Sequence, residues 1–371
     1  MDFTLDSEQT ALRDAVRGLL SKSYDSTETR REITKTDPGF SEKTWTQLAE
    51  LGALGLPFAE EDGGFGAGPV EVSIVAEEIG RVLAPEPYLE TILAGGLVAD
   101  LGSAEQRADV IGKVAEGALV LSLAHHDIGD AVVATASGDT WTLSGVKEPV
   151  LHGARADLLV VTARTDAGVG VFLVDPSADG VERTGYRTHD GGRAARVAFD
   201  GAAATPLGDP TADASDAVAL AKARGQIALG HEAVGAMDVA LRTTTEYLKT
   251  RKQFGVPLNT FQALTFRAAD LYVSAELARS TVTWATLVLQ DEPERAVEAA
   301  SRAKLQVSRA GRHIGQEAIQ LHGGIGMTAE YSVGHYTSRL TAIDHTLGDG
   351  SEHLARLAST VTDHGVVDPI G

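Results

Sequence analysis

The stretch YLKTRKQFGVPLNTFQALTFRAADLYVSAELAR, residues 247–279, holds the end of one helix, a break and the start of another. Gly255 and Pro257 cannot continue a regular helix, so the chain must turn there. Beyond the break, Leu264, Ala268, Leu271, Ala275 and Ala278 recur at helical spacing and make one apolar stripe. A guanidinium fork at Arg251 beside the ring of Phe254 suits the pyrophosphate of a dinucleotide: Arg251 can pair with it bidentately while Phe254 packs on the ligand. A solvated helix C-terminus, where the dipole favours Arg and Lys, accounts for the same residues.

Working outward, Val234, Met237, Leu241 and Leu248 precede this stretch in helical register, and Val297, Ala300, Val307, Ile314, Ala318 and Leu321 follow it. Long amphipathic segments with short breaks predict a helical bundle over 208–371. The middle of the chain changes period. ALVLSLAHHD, AVVATAS, TWTLSGVKEPVL, ADLLVVTAR and VGVFLVD are short and rich in Val, Leu and Thr, with turn residues between them, which predicts an antiparallel sheet or barrel over 117–207. Gly138 and Asp139 are expected at a hairpin turn. Residues 1–116 read as helices. Asp6 with Gln9 forms a capping pair ahead of Leu12, Val16 and Leu19, and a second segment runs through Trp45, Leu48 and Leu51. The fold class is therefore α+β in the order helical, β, helical bundle.

Composition excludes several functions. The 371 residues carry 32 Lys and Arg against 52 Asp and Glu, a net charge of −20, which disfavours nucleic acid and anionic membranes as partners. There is no cysteine, so disulfides, thiolate metal sites and a thiol nucleophile are absent. No apolar run approaches the roughly 20 residues of a membrane helix, and the acidic start is unlike a signal peptide; a soluble, cytoplasmic protein is expected. No metal site is expected: adjacent His125 and His126 point to opposite faces of a strand, and His345 and His353 read as surface residues. GGFGAG at 63–68 lacks a preceding strand and reads as a turn rather than a phosphate cradle. Glu232 reads either as a helix-packing residue or as a solvated one.

Four phrases together resemble the acyl-CoA dehydrogenase family. LAELGALGLPFAEEDGGFGAGPVEVSIVAEEIGRVLAPEP (48–87) is similar to its amino-terminal helical domain, and WTLSGVKEPVLHGARADLLVVTAR (141–164) to its β domain. The 247–279 stretch and QLHGGIGMTAEYSVGHY (320–336) are similar to its carboxy-terminal helices. The resemblance implies FAD as cofactor and an acyl-CoA thioester as substrate, dehydrogenated between its α and β carbons, with an external electron-transfer acceptor. It implies that Arg251, Gln253, Phe254, Gln262, Gln320, Leu321, His322, Gly323 and Gly324 meet the adenine and pyrophosphate half of an FAD bound mainly to a neighbouring subunit.

The sequence departs from the family in two places. Where the β domain usually carries Thr-Glu-Pro and then Gly-Ser-Asp against flavin and substrate, this chain has LSLAHHDIGD (121–130). The catalytic base, usually a Glu followed by Gly, falls on Leu347, counted without gaps from Gly323; Gly348 supplies the glycine. The family's other base position falls on Gly225, followed by Gln226. None of these accepts a proton, and Asp349 is the nearest substitute. Three functions are compatible with this pattern. The first is a subunit of a mixed assembly, such as a heterotetramer, whose related partner carries the base; such assemblies act on steroid-derived CoA thioesters in bacteria. The second is a self-sufficient homo-oligomer using Asp349, and the third a non-catalytic acyl-CoA-binding or scaffold protein.

Overall fold

Asp6 opens the first helix with a full capping box: its carboxylate accepts the amides of Glu8 and Gln9, each at 2.8 Å, and Gln9 returns a bond to the Asp6 amide. The computed structural model describes residues 4–138, 140–363 and 365. Six helices come first: α1 (Ser7–Ser23), α2 (Thr27–Lys35), α3 (Glu42–Glu50), α4 (Pro69–Val82), α5 (Tyr88–Leu101) and α6 (Ala104–Ala115). Ser26, Ser41 and Ser103 cap α2, α3 and α6 by the same chemistry. Trp45 on α3 donates its indole N–H to the Gly117 carbonyl at 2.9 Å. The glycines at 63–68 form a turn, as expected. Its backbone folds back onto 55–58 through Phe65 N–H to Gly55 and Gly66 N–H to Phe58, and a Cβ on Gly64 would sit 2.2 Å from the Phe58 carbonyl oxygen.

Seven strands come next in the chain: β1 (Leu121–Ala124), β2 (Val133–Ser137), β3 (Thr140–Leu151), β4 (Leu158–Thr165), β5 (Gly168–Val174), β6 (Val181–Arg187) and β7 (Arg193–Leu207). They pair in the order β1-β4-β2-β3-β7-β5, and β5 pairs again with β4, so five strands close a ring with β1 and β6 attached to it. Closure removes most open edges, and Leu143, Val161, Phe172 and Val197 fill the interior. Pairing is mostly antiparallel, but β1 runs parallel to β4 and β2 touches β4 in parallel at Val133. The parallel pair is possible because β2 and β3 intervene between β1 and β4 and supply the long crossover it requires. Ser137 faces Thr140 across the β2–β3 hairpin, with Gly138 at φ +62°; Asp139 lies outside the described residues.

The remaining elements are α7 (Ser215–Thr250), a small hairpin of β8 (Lys252–Gln253) and β9 (Val256–Pro257), α8 (Gln262–Asp291), α9 (Ala296–His322), α10 (Val333–His345) and α11 (Gly350–Ser359). The chain divides into two units, one of Met1–Glu78 with Ala84–Lys222 and one of Ile79–Leu83 with Ala223–Gly371. In the second, the α9 stripe Ala300, Val307, Ile314, Ala318 and Leu321 is buried, and Lys304 and Gly311 lie on the same stripe. Among the described residues no helix is long and apolar enough to cross a membrane, and no group of three His, Cys, Asp or Glu could hold a metal.

Two readings of single residues need correction or resolution. His345 is exposed as expected, but His353 is only 4 % exposed, because its place on the first turn of α11 turns it inward. Glu232 is buried and accepts two bonds from the guanidinium of Arg339, at 2.6 and 3.0 Å, which settles it as a packed, ion-paired residue.

The first unit buries a carboxyl group as well. Glu86, just before α5, is 4 % exposed; its Oε1 accepts the Tyr24 hydroxyl and the Ser41 amide, while Oε2 is buried without a partner. Burial, partly offset by the Tyr24 bond, pushes its pKa up to about 7. The folded state therefore holds a proton that the unfolded chain releases near the ordinary carboxyl pKa, and stability falls as pH rises from about 4.5 through about 7. Glu86→Gln should match the parent in urea unfolding at pH 5. At pH 8 it should be more stable, by on the order of 2–3 kcal/mol.

Candidate functional site

Two places in the second unit carry the residues that the sequence singles out. The first is the turn between α10 and α11. Leu347 holds φ +60°, unusual for a residue with a branched side chain, and Gly348 comes after it at φ +98°. Three side chains from three other helical segments hold this turn. Lys304 of α9, fully buried, donates from Nζ to the carbonyls of Ile343, Asp344 (3.1 Å) and Thr346 (2.8 Å). Gln226 of α7 donates from Nε2 to the Leu347 carbonyl at 2.7 Å, and His353 Nε2 lies 3.3 Å from the same oxygen. Gln226, next to Gly225, is thus brought to Leu347 although 121 residues separate the bonded pair.

Every carboxylate near that turn is already engaged. Asp349 is the N-cap of α11: its Oδ1 accepts the amides of Ser351 (2.8 Å) and Glu352 (2.9 Å), and Glu352 completes the capping box by accepting the Asp349 amide. Asp344 accepts the Gly350 amide and pairs with Arg312, each at 3.2 Å. Burial lowers the Lys304 ammonium to about 8, with Asp344, Asp349 and Glu352 acting against the shift.

The second place is the end of the bundle where α7 stops, α8 starts and α9 stops. The β8–β9 hairpin projects here. Phe254 at its tip holds φ +53°, is 91 % exposed and meets Phe261 edge-on at 6.1 Å. Arg251, Gln253, Gln262, Gln320, Gly323 and Gly324 are all exposed, and the Arg251 guanidinium has no protein partner among the described residues. A Cβ on Gly323 or Gly324 would meet nothing within 4 Å, so the backbone there is open to close approach. Leu321 and His322 differ from the rest: both side chains are buried, facing inward from the last turn of α9. Nearby apolar side chains stand in solvent, including Phe266, Val273 and Leu277 on α8 and Met327 after the glycines.

The β ring of the first unit explains what LSLAHHDIGD does. The segment after β1 is sewn along β3: Ile128 N–H bonds to Val146, Glu148 N–H bonds to His126, and Lys147 Nζ sits 2.7 Å from Asp127 Oδ1 and 3.2 Å from Thr162 Oγ1. Lys147 is 1 % exposed. Burial, reinforced by Lys222 and Lys147, pushes His125 down to about 3, so it is neutral. This backbone spends its hydrogen bonds on β3.

Comparison with known proteins decides the family. The acyl-CoA dehydrogenase N-terminal domain matches residues 6–118 and the C-terminal domain residues 216–359. The acyl-CoA dehydrogenase IpdE2 of Mycobacterium tuberculosis is 32% identical over 97% of this chain and 99% of its own length. The chain belongs to the acyl-CoA dehydrogenase family. A variant of the steroid ACAD Tcur3481-Tcur3483 is 31% identical with a TM-score of 0.90, covering 97% of this chain and 99% of that one. The ChsE4-ChsE5 complex of Mycobacterium tuberculosis is 27% identical with a TM-score of 0.91, covering 99% and 100%. FAD is the cofactor of the acyl-CoA dehydrogenases. The open end of this chain suits such a group: an unpaired guanidinium, an exposed ring and a glycine backbone with free space above it lie along one surface.

Sequence reasoning passed over Lys304, Tyr247 and Tyr331 and placed His353 on the surface. Lys304 left a signal, since it interrupts the apolar stripe of α9 between Ala300 and Val307. Lys304→Met should strand the carbonyls of Asp344 and Thr346, while that of Ile343 keeps the Thr346 amide. The expected result is a loss of about 3–5 kcal/mol in chemical denaturation with the same far-UV spectrum, because one turn is undone rather than a helix.

Proposed function

We propose that this chain is one subunit of a FAD-dependent acyl-CoA dehydrogenase and works with a related subunit that carries the catalytic base. In this reading it supplies Arg251, Gln253, Phe254, Gln262, Gln320 and the 321–324 backbone to the adenine and pyrophosphate half of the partner's FAD. Leu321 and His322 contribute their backbone and packing. The reading rests on one observation above all: the positions that the resemblance gives for a base, Leu347 and Gly225, lack a carboxylate, and Gln226, the residue after Gly225, bonds to the Leu347 carbonyl. Asp349 is a poor substitute because turning it toward a substrate would uncap α11.

When bound, FAD takes the hydride from the β-carbon of the thioester while a carboxylate removes the α-proton. This chain's own side chains then act by binding and orientation. Arg251 meets the pyrophosphate as a fork, Phe254 covers the cofactor with an apolar face, and Gly323 and Gly324 let the dinucleotide approach the backbone. The segment 125–131, bonded along β3, gives a reason why this chain's own β unit leaves the reacting ring to its partner. Similarity to a steroid ACAD and to a complex of two ChsE chains favours a steroid-derived acyl-CoA and a hetero-oligomer, a heterotetramer in its simplest form. A soluble electron-transfer protein would reoxidise the flavin, in keeping with a cytoplasmic location.

Isolated, the chain should purify with little flavin and turn over an acyl-CoA at least 10²–10⁴-fold more slowly than the co-purified pair, the range a positioned base contributes. Asp349→Asn keeps a capping side chain and should leave the pair's rate unchanged; turnover by the isolated chain that vanishes on Asp349→Asn would instead identify Asp349 as the base.

Arg251→Ala should weaken FAD retention by the pair roughly 10- to 100-fold, as expected for a charge-assisted phosphate contact worth about 1.5–3 kcal/mol. Flavin absorbance per protein after gel filtration reads this directly, and parental retention would remove the motif from the cofactor site.

A further inference from the structure

Beneath the open end of the bundle, three rings from three segments stack on one another. His322, the last residue of α9, is 3 % exposed. Its centroid lies 4.4 Å from Tyr247 near the end of α7, with an interplanar angle of 31°, and 4.9 Å from Tyr331 in the loop before α10, at 54°. The two tyrosines meet edge-on at 6.3 Å and 70°. His322 Nδ1 donates to the Ala318 carbonyl at 2.7 Å, which fixes the neutral tautomer and leaves Nε2 buried without a partner. A buried ring with an idle acceptor is costlier than Phe at the same place, so its packing must offset that loss.

Each ring is joined to a segment that the proposed function assigns to FAD. The Arg251 amide donates to the backbone carbonyl of Tyr247 at 2.8 Å, so the residue that leads into the hairpin is set by the helical turn whose position the first ring fixes against α9. His322 is bonded covalently to Gly323, and a Cβ on Gly326 would come within 3.0 Å of its own Cβ. Tyr331 N–H bonds to Thr328 and closes the turn that returns the chain from the glycines to α10. Other contacts are local: Leu258 N–H bonds to the Arg251 carbonyl at 2.9 Å, Phe254 meets Phe261, and Gly326 packs on Ile319. The hairpin has two residues in each strand, its residues 252–256 are exposed, and the glycines have open space around them. A two-stranded hairpin of this size is not rigid by itself.

We propose that the Tyr247–His322–Tyr331 stack is a positioning device that sets the spacing between the Arg251 fork and the Gly323–Gly324 backbone, and thereby the affinity for the dinucleotide. The proposal rests on the assignment of those two motifs to FAD. The three rings need not touch the cofactor. They act through the two segments they join, in the way a supporting shell fixes a binding group within a fraction of an ångström.

The test measures the FAD dissociation constant of the co-purified assembly, stripped of flavin and titrated back, alongside its thermal midpoint. Tyr331→Leu and His322→Leu are expected to weaken FAD roughly two- to tenfold, the scale of one aromatic pair, while His322→Phe, which keeps the stack, stays near the parent. Val307→Ala, in the buried stripe of α9 away from both motifs, should lower the thermal midpoint and leave FAD affinity alone. If the two Leu variants bind FAD like the parent while Arg251→Ala does not, the stack has no positioning role and the motif assignment survives. If Arg251→Ala also binds like the parent, both fall together. A loss in Val307→Ala equal to that in the ring variants, or His322→Phe behaving like His322→Leu, would likewise overturn the proposal. Tyr331 is on a loop and only partly buried, so Tyr331→Leu carries the test should His322→Leu fail to fold.

Discussion

A single buried ammonium governs the region on which the functional reading turns. Lys304 sits where the α9 stripe would otherwise be apolar, and it spends its three protons on the last carbonyls of α10. Those carbonyls are the negative end of a helix dipole, and those of Asp344 and Thr346 would be unsatisfied without it. The cost shows in the lowered pKa, since among the described residues no carboxylate touches Nζ directly and the compensation comes from backbone oxygens and more distant charges. Three neighbouring features depend on that anchor: the left-handed Leu347, its carbonyl held by Gln226, and the capped start of α11. The chain maintains, at some expense, the geometry of the turn that carries Leu347.

That combination separates fold from chemistry. Scaffolds keep their backbone geometry through packing and hydrogen bonds made by residues other than the reacting one, so the reacting residue can be lost while the frame persists. The opposite end of the bundle shows the complementary case. Arg251, Phe254 and the glycines are held at the surface with little of the chain's own mass against them. One place has a turn held from several helices, and the other has exposed side chains with little of the chain packed on them.

How much of this was legible in the sequence depended on distance along the chain. The capping box at Asp6, the helical stripes and the breaks at Gly255 and Pro257 are local, and local chemistry determines them; the box at Asp349 is as local but was read as a candidate base. Ring closure was not legible, because β5 must find both β4 and β7 and no short pattern announces it. Two strands went unread for compositional reasons: β6 is mostly exposed and polar, and β7 is rich in alanine, which lacks strand preference. At the site, positions 225 and 347 were each nominated by counting, but the contact of Gln226, beside the first, with Leu347 could emerge only from the fold. His353 was misplaced on the surface because a histidine flanked by polar residues reads as solvated, whereas the inward face of α11 is fixed by where its N-cap sits.

The uncovered apolar end of the second unit has a colloidal consequence. Phe254, Met327 and the outer residues of α8 offer adhesive surface to any other molecule, including another copy of the same chain. Against this stands the net charge of −20, which repels identical chains at long range. Salt screens the repulsion over a distance of about 10 Å at ordinary ionic strength but leaves the adhesion intact. The balance between a lone soluble chain and self-association is therefore set by ionic strength, independently of how stably the chain is folded.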